Sequence, residues 1–350
     1  MAYSSIVKPE DYFNTVLYTG NGSTQSITGV GFQPDWVWIK GRSVAAGSNL
    51  SDSVRGVNKQ LQTASTAAEE TLTTCVTAFD SDGFSLGSNG NVNTNSGTFV
   101  AWNWLAGGSA SSNSNGSITS SVSANTTAGF SIVSYTGTGS VATVGHGLGV
   151  APKFIIVKTR SLSGEAWPVD SRAASGILYL NETSAEGSYG DSSPFPSTAP
   201  TTTVFSIGTP NNTNGSGATY IAYCFADVKG YSKFGIYIGN NNASGPFIYT
   251  GFRPAWVLVK RANGSGNNWQ LHDIKRTQYT QPINHRISPT VSIVEQTGDT
   301  LGFEFFSNGF RPNNANGDYN DNLDEYIYMA FAEHPFVANN SGTAVPVVAR

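Results

Sequence analysis

One seven-residue phrase, Pro-x-[Trp/Phe]-[Val/Ile]-x-[Ile/Val]-Lys, occurs three times, at 34–40, 152–158 and 254–260. A phrase this long predicts one small architecture made three times, since each copy carries the same local instructions. Matching pieces frame each copy. Upstream stand Tyr18-Thr19-Gly20, Tyr135-Thr136-Gly137 and Tyr249-Thr250-Gly251, each read as a strand end followed by a glycine turn. Downstream come acidic-to-basic turns, Asp52-Ser53-Val54-Arg55, Asp170-Ser171-Arg172 and Asp273-Ile274-Lys275-Arg276. Each unit then closes on an aromatic strand: Phe99-Val100-Ala101-Trp102-Asn103-Trp104, Tyr220-Ile221-Ala222-Tyr223-Cys224-Phe225 and Tyr326-Ile327-Tyr328-Met329-Ala330-Phe331.

Short β-branched and aromatic runs, punctuated by Asn-Gly and Asp-Gly turns such as Asn21-Gly22, Asp82-Gly83 and Asn308-Gly309, predict an all-β chain. In Trp36-Val37-Trp38-Ile39 both alternating faces are apolar, as expected of a central strand covered on each side by another sheet or by a neighbouring subunit. The fold class expected is three tandem homologous β-sandwich-like units, at 13–108, 130–229 and 230–337, each with its own modest core. Segment 1–12 reads as an N-terminal attachment and 338–350 as a C-terminal tail, either frayed or docked on a neighbour. The Ser/Asn/Gly-rich stretch 109–129 reads as a linker or, through its Ile118 and Val122, as an edge strand. Residues 56–73, richer in Ala, Gln and Glu, suggest a short helix or an irregular loop.

Charged residues make up 12% of the 350, about half the usual share, and the net charge is −4. No basic field is available to condense on phosphates, so nucleic acid is not an expected partner. No apolar run is long enough for a spanning helix, and residues 1–10 lack the charged and apolar regions of a signal peptide, so synthesis in the cytoplasm without membrane insertion is expected. Cys75 and Cys224 fit no zinc or redox spacing and are read as buried, inert thiols.

Candidate chemistry is sparse. His146, His272, His285 and His334 do not recur at matching places; His146 lies in a glycine-rich turn, Val144-Gly145-His146-Gly147-Leu148-Gly149, without the Gly-Lys-Ser/Thr ending of a phosphate loop. Glycoside hydrolysis needs two carboxyl groups across a cleft, and Asp80, Asp82, Asp318, Asp321, Asp324 and Glu325 are the candidates. Asp318, Asn320, Asn322 and Asp324 alternate as calcium-binding oxygens can, but the EF-hand glycine and bidentate glutamate are missing, and a solvated hairpin loop gives the same pattern. Of the seven tryptophans, Trp36, Trp38, Trp102, Trp104, Trp167, Trp256 and Trp269, those at repeated positions are read as core. No catalytic, cofactor-binding or metal-binding residue is assigned.

Taken with Gly31-Phe32-Gln33-Pro34-Asp35-Trp36-Val37, Thr143-Val144-Gly145-His146-Gly147-Leu148-Gly149-Val150-Ala151-Pro152-Lys153, Gly230-Tyr231-Ser232-Lys233-Phe234-Gly235 and Tyr328-Met329-Ala330-Phe331-Ala332-Glu333, the chain resembles tandem-repeat virion proteins of marine tailed bacteriophages, including cyanophages. The resemblance runs from about Asp11 to Val337. It implies a component of the particle surface, on tail or head, and brings no catalytic residues. The expectation is a non-enzymatic virion surface protein, part of a tail fibre or capsid-surface appendage, that contacts the host envelope. Expected partners are other copies in a homotrimer, other virion proteins through the termini, and host surface glycans or proteins met by the loops. A capsid decoration protein without host recognition, and a carbohydrate-degrading tail spike, are the alternatives.

Overall fold

The computed structural model describes residues 4–172, 176–298, 302–335, 337–340 and 343–346, the last two segments in backbone only. It is nearly all β, as the turn-punctuated sequence requires.

The first third of the chain forms β1 (Phe13–Thr19), β2 (Gln25–Thr28), β3 (Trp36–Gly41), β4 (Asn49–Asp52), β5 (Lys59–Gln62), β6 (Glu70–Thr71), β7 (Val76–Asp80), β8 (Gly83–Leu86) and β9 (Thr98–Trp104). The main sheet runs β1-β9-β3-β4-β5-β6, and β2-β8-β7 make a smaller one. The stretch 56–73, expected as a helix or loop, carries β5 and β6 instead. Its backbone groups pair with the sheet edge formed by β4, which outweighs the helix-favouring composition.

The middle third forms β10 (Ser111–Asn113), β11 (Ser120–Asn125), β12 (Phe130–Thr136), β13 (Ala142–Gly145), β14 (Phe154–Thr159), β15 (Pro168–Asp170), β16 (Ile177–Tyr179), β17 (Val204–Ile207) and β18 (Thr219–Phe225). Its main sheet is β10-β11-β12-β18-β14-β15-β16, with β13-β17 as the smaller one. Thus 109–129 supplies two strands that extend the sheet beyond β12.

The last third forms β19 (Ser232–Ile238), β20 (Ile248–Tyr249), β21 (Phe252–Arg261), β22 (Gln270–Asp273), β23 (His285–Arg286), β24 (Gln296–Thr297), β25 (Phe303–Phe306), β26 (Gly309–Pro312) and β27 (Glu325–Pro335). The main sheet is β19-β27-β21-β22 and the smaller one β20-β26-β25; β23 and β24 pair apart, as do β28 (Val337–Asn340) and β29 (Thr343–Pro346). The side chains of 338–350 lie outside the described residues, and with them the question of docking.

The order β1-β9-β3-β4 therefore recurs as β12-β18-β14-β15 and β19-β27-β21-β22. Register makes Tyr237, not Tyr249, the counterpart of Tyr18 and Tyr135: they oppose Tyr326, Phe99 and Tyr220 respectively. The three ring pairs stack alike, at 5.2, 5.1 and 5.0 Å between centroids, and each tyrosine hydroxyl donates at 2.7 Å to a carbonyl, of Val92, Thr213 or Tyr319. Tyr249 stands instead in β20, exposed.

The apolar alternation along the closing strands divides their side chains between two interiors. Val100, Trp102 and Trp104 of β9, Ile221, Tyr223 and Phe225 of β18, and Ile327, Met329 and Phe331 of β27 all join one cluster shared by the three main sheets. The residues between them, Phe99 and Ala101, Tyr220, Ala222 and Cys224, and Tyr326, Tyr328 and Ala330, pack outward against the smaller sheets. Separate aromatic interiors were expected, but the larger rings face one another across the middle. Trp36 lies 4.3 Å from Trp104 and 4.9 Å from Tyr223, and Trp104 lies 5.7 Å from Trp256 and 5.6 Å from Phe331. Such pairs contribute about 0.5–1.5 kcal/mol each beyond area burial. Both apolar faces of the repeated strand are thus covered by sheets of the same chain. The N-terminal segment adds to this interior, with Ile6 buried in it and Tyr12 packed edge-on against Tyr231.

Candidate functional surface

Where the three main sheets meet, the same contacts recur in one direction around the centre. Lys40, Lys158 and Lys260, which end the repeated phrase, are fully buried. Their ammonium groups donate to Val291, Thr66 and Thr183 carbonyls respectively, each belonging to a different third of the chain. Burial pushes all three lysines down to about 8; the carbonyl bonds favour the charged form and oppose that shift. The hydroxyl of Tyr223 donates to Asp52 at 2.7 Å and the indole of Trp102 to Asp273 at 3.0 Å, while Met329 takes the matching place in β27.

Three glutamates complete these seams. The amides of Glu69, Glu186 and Glu295 donate at 2.8 Å to the carbonyls of Arg160, Ala262 and Arg42. Glu295 is held by Arg42, Arg276 and His285 at 2.9–3.0 Å, and Glu69 by Arg55 and Arg160 at 2.9–3.2 Å. Burial opposes ionisation of both, yet the arginines outweigh it: Glu295 falls to about 2 and Glu69 below its ordinary value. Ala262 offers Glu186 no second guanidinium. Among the described residues Arg172 alone pairs with Glu186, at 2.8 Å, and it also reaches Glu325 at 2.6 Å; burial prevails and Glu186 is pushed up.

The residues singled out from sequence are mostly engaged in this scaffold. His146 and His272 are buried, His146 between the Leu148 amide and the Thr201 carbonyl, His272 between the Ile283 carbonyl and the Tyr319 hydroxyl. Burial lowers both imidazoles, which disfavours a charged form. His285 belongs to the Glu295 cluster, and His334 is half exposed near Glu333. Asp80 accepts from Ser85; Asp82 accepts from the Gly29 and Gly31 amides, closing a turn. Asp318 pairs with Arg286, Asp321 and Asp324 with Arg261, and Glu325 with Arg172. Each of these acids thus answers an arginine, a hydroxyl or a backbone amide.

The calcium pattern dissolves for a specific reason. Asn320 is fully buried and donates to the Asn314 and Asn242 carbonyls while accepting the Asn240 amide at 2.8 Å. Asn93 and Asn214 do the same work, accepting the Asn21 and Thr138 amides and donating to the Gly87 and Gly208 carbonyls. In the same loop, the backbone amide of Asn322 donates to the Asp321 carboxylate. Among the described residues no three His, Cys, Asp or Glu side chains gather in one place. Burial pushes the Cys75 thiol up to about 12 and raises Cys224 as well, so neither is poised as a nucleophile. All seven tryptophans are buried.

Groups not consumed by packing collect on the last third of the chain. A cleft of about 570 Å³ lies between β1 and the β21–β27 pair, lined by Phe13, Asn14, Arg253, Glu333, Lys275 and Tyr279 among others. Arg253 and Glu333 form an ion pair at 2.8 Å, and the Lys275 ammonium stands 5.5 Å from the centre of the Tyr279 ring. Gln278 and Tyr279 both have left-handed backbones, φ 53° and 64°. A bulky residue seldom adopts that conformation, which costs of order 1–3 kcal/mol; here it accompanies an exposed ring. Ser307, also in the cleft wall, follows Phe306, which opens a row of exposed aromatics on the smaller sheet: Phe306, Phe247 and Tyr249. Sequence reasoning missed this row because Tyr249-Thr250-Gly251 was read as the counterpart of Tyr18-Thr19-Gly20. The distance to the repeated proline carries the signal, sixteen or seventeen residues for Tyr18, Tyr135 and Tyr237 but five for Tyr249.

Residues 8–335 match the model of a protein family described as a domain of unknown function, DUF7483, and the chain belongs to that family. No curated protein and no solved structure matches the chain.

Proposed function

We propose that the chain consists of three tandem homologous β-sandwich-like units around a pseudo-threefold centre, and that it serves as a non-enzymatic structural protein on the surface of a bacteriophage particle, in a tail fibre or capsid-surface appendage that meets the host envelope. The observation that carries this reading is the division of labour among side chains. Lysines, arginines and glutamates of the interior bridge the seams between the three main sheets, whereas exposed aromatic groups gather on one smaller sheet. A chain so arranged supplies a stiff body and a surface for contact, and its interior carboxylates are tied to arginines, hydroxyls and backbone amides.

A homotrimer is not needed to cover the repeated strands, because three sheets of one chain already cover one another. Contacts with further virion proteins are assigned to the terminal segments. Antibodies raised against the purified chain should label the surface of intact phage particles by immunogold microscopy, and the purified protein should adsorb to susceptible cells and reduce infection. Particles without label, from a phage that encodes the chain, would refute the virion assignment; labelled particles combined with no adsorption would remove host contact.

A further inference from the structure

The three smaller sheets act as internal controls for one another. In the first, Ser26 faces Ser85 across β2 and β8, their hydroxyls 2.9 Å apart, and Asp80 accepts from Ser85 at 2.7 Å. In the second, Thr143 faces Ser206. In the third, register places Tyr249 opposite Gly309, where the first sheet has Thr28 opposite Gly83. It places Phe306 opposite Gly309, where the first has Asp80 opposite Gly83. Two residues further along β26 comes Arg311, opposite Glu304, at the place where the first sheet has Ser85. Hydroxyl and carboxylate positions of one sheet have become aromatic and guanidinium positions in another, on the same pleat.

Nothing in the folding of the third sheet demands that change, for its interior is already closed by Ile248, Phe303, Phe305 and Phe310. The new groups point outward, with Phe247 50% and Tyr249 58% exposed. They are also ordered among themselves. Phe247 and Phe306 meet edge to face at 5.7 Å, the Arg311 guanidinium lies over the Phe306 ring at 5.4 Å, and Arg311 is ion-paired with Glu304.

We propose that this outer face of β20, β26 and β25 binds a neutral hexose polysaccharide. The aromatic faces offer flat apolar area to the C–H face of a pyranose ring, which is apolar on that side and polar at its rim. Arg311 and Glu304 together present fixed donors and acceptors to adjacent hydroxyls, and because their charges cancel, the face favours an uncharged ligand over an acidic one. A sugar chain also suits a shallow, open sheet face better than a small molecule, which requires enclosure. The inference rests on the host-contact reading and gives the contact its chemistry.

The test uses the full chain, electrophoresed through native gels containing dextran, mannan, galactan or β-glucan, beside a Phe247→Ser/Tyr249→Thr variant that installs residues the first sheet already carries at these places. At least one polysaccharide should retard the wild type, and the variant should need at least tenfold more of it for equal retardation. Equal retardation of both proteins overturns the site. Free passage of the wild type through all four gels overturns the ligand class, and if that protein still adsorbs to susceptible cells, the host-contact reading survives it. Circular dichroism of the variant matching the wild type keeps a loss of binding attributable to the face.

Discussion

Replacing Glu295 by Gln tests whether the seams are held by charge. The carboxylate accepts from Arg42 through two nitrogens at 2.9 and 3.0 Å, from Arg276 at 3.0 Å and from His285 at 2.9 Å. Its side chain is 8% exposed and that of Arg276 is fully buried. The carboxyl falls from 4.5 to about 2 on folding, which corresponds to about 3 kcal/mol of stabilisation at pH 7. Breaking a buried pair from one side costs about 3–5 kcal/mol by an independent route, so the two figures agree. Because the folded chain binds fewer protons here than the unfolded one, the stabilisation is complete above about pH 5 and is lost as pH falls toward 2; near pH 3 about 1.4 kcal/mol should remain. Urea unfolding followed by tryptophan fluorescence should therefore show Glu295→Gln about 3 kcal/mol weaker than wild type at pH 7, with the gap at least halved at pH 3. A gap of equal size at both pH values would mean that packing, not charge, holds this seam. A gap under 1 kcal/mol at pH 7 would mean that the arginines find other partners.

Three further outcomes follow from the same geometry. Tyr223→Phe removes the 2.7 Å bond to the fully buried Asp52 and should cost about 1.5–3 kcal/mol in urea unfolding at pH 7. Asn214→Asp should cost more than Asn214→Ser in the same measurement, because a carboxylate cannot donate to the Gly208 and Ser140 carbonyls that the amide now satisfies. Adding 1 mM calcium or EDTA should shift the melting temperature by less than about 1 °C by calorimetry, since a ligand that binds only the folded state raises it and Asn320 is committed to backbone groups.

The strands that repeat in sequence were legible because their alternation is local: Trp36-Val37-Trp38-Ile39 announces a strand covered on both faces without knowledge of what covers it. That the cover is the other two main sheets was not legible, since the same pattern fits a second chain. The seam glutamates escaped for a related reason. Glu69, Glu186 and Glu295 have no common sequence context, and it is their contacts that mark them as equivalent: amide bonds to Arg160, Ala262 and Arg42, and ion pairs with Arg55, Arg172 and Arg276 of the repeated turn. The buried asparagines are the opposite case. Asn93, Asn214 and Asn320 each precede the first closing aromatic, Phe99, Tyr220 or Tyr326, by six residues. That spacing was present in the sequence, and it distinguishes a structural amide from the calcium ligand that alternation in 318–324 suggested.

A strand order that recurs three times in a single chain loosens a constraint that a homotrimer imposes. In a trimer of identical chains, any change on an outer sheet appears three times, and any change at a seam strikes all three seams together. Here Arg42 and Arg160 persist at two seams while Ala262 stands at the third, and Tyr223 and Trp102 keep their bonds to Asp52 and Asp273 while Met329 makes none of that kind. The third seam is therefore the weakest in charge, yet aromatic rings still close it, Phe225 against Phe331 and Phe154 against Trp269. The same freedom acts on the outside, where one sheet carries Phe247, Tyr249 and Phe306 in place of Ser26, Thr28 and Asp80, with Gly309 standing opposite Tyr249 and Phe306 as Gly83 stands opposite Thr28 and Asp80. Divergence at the surface of one smaller sheet is tolerable because the shared interior does not depend on it, and this is the physical route by which a recurring strand order can hold its shape while one outer face changes its chemistry.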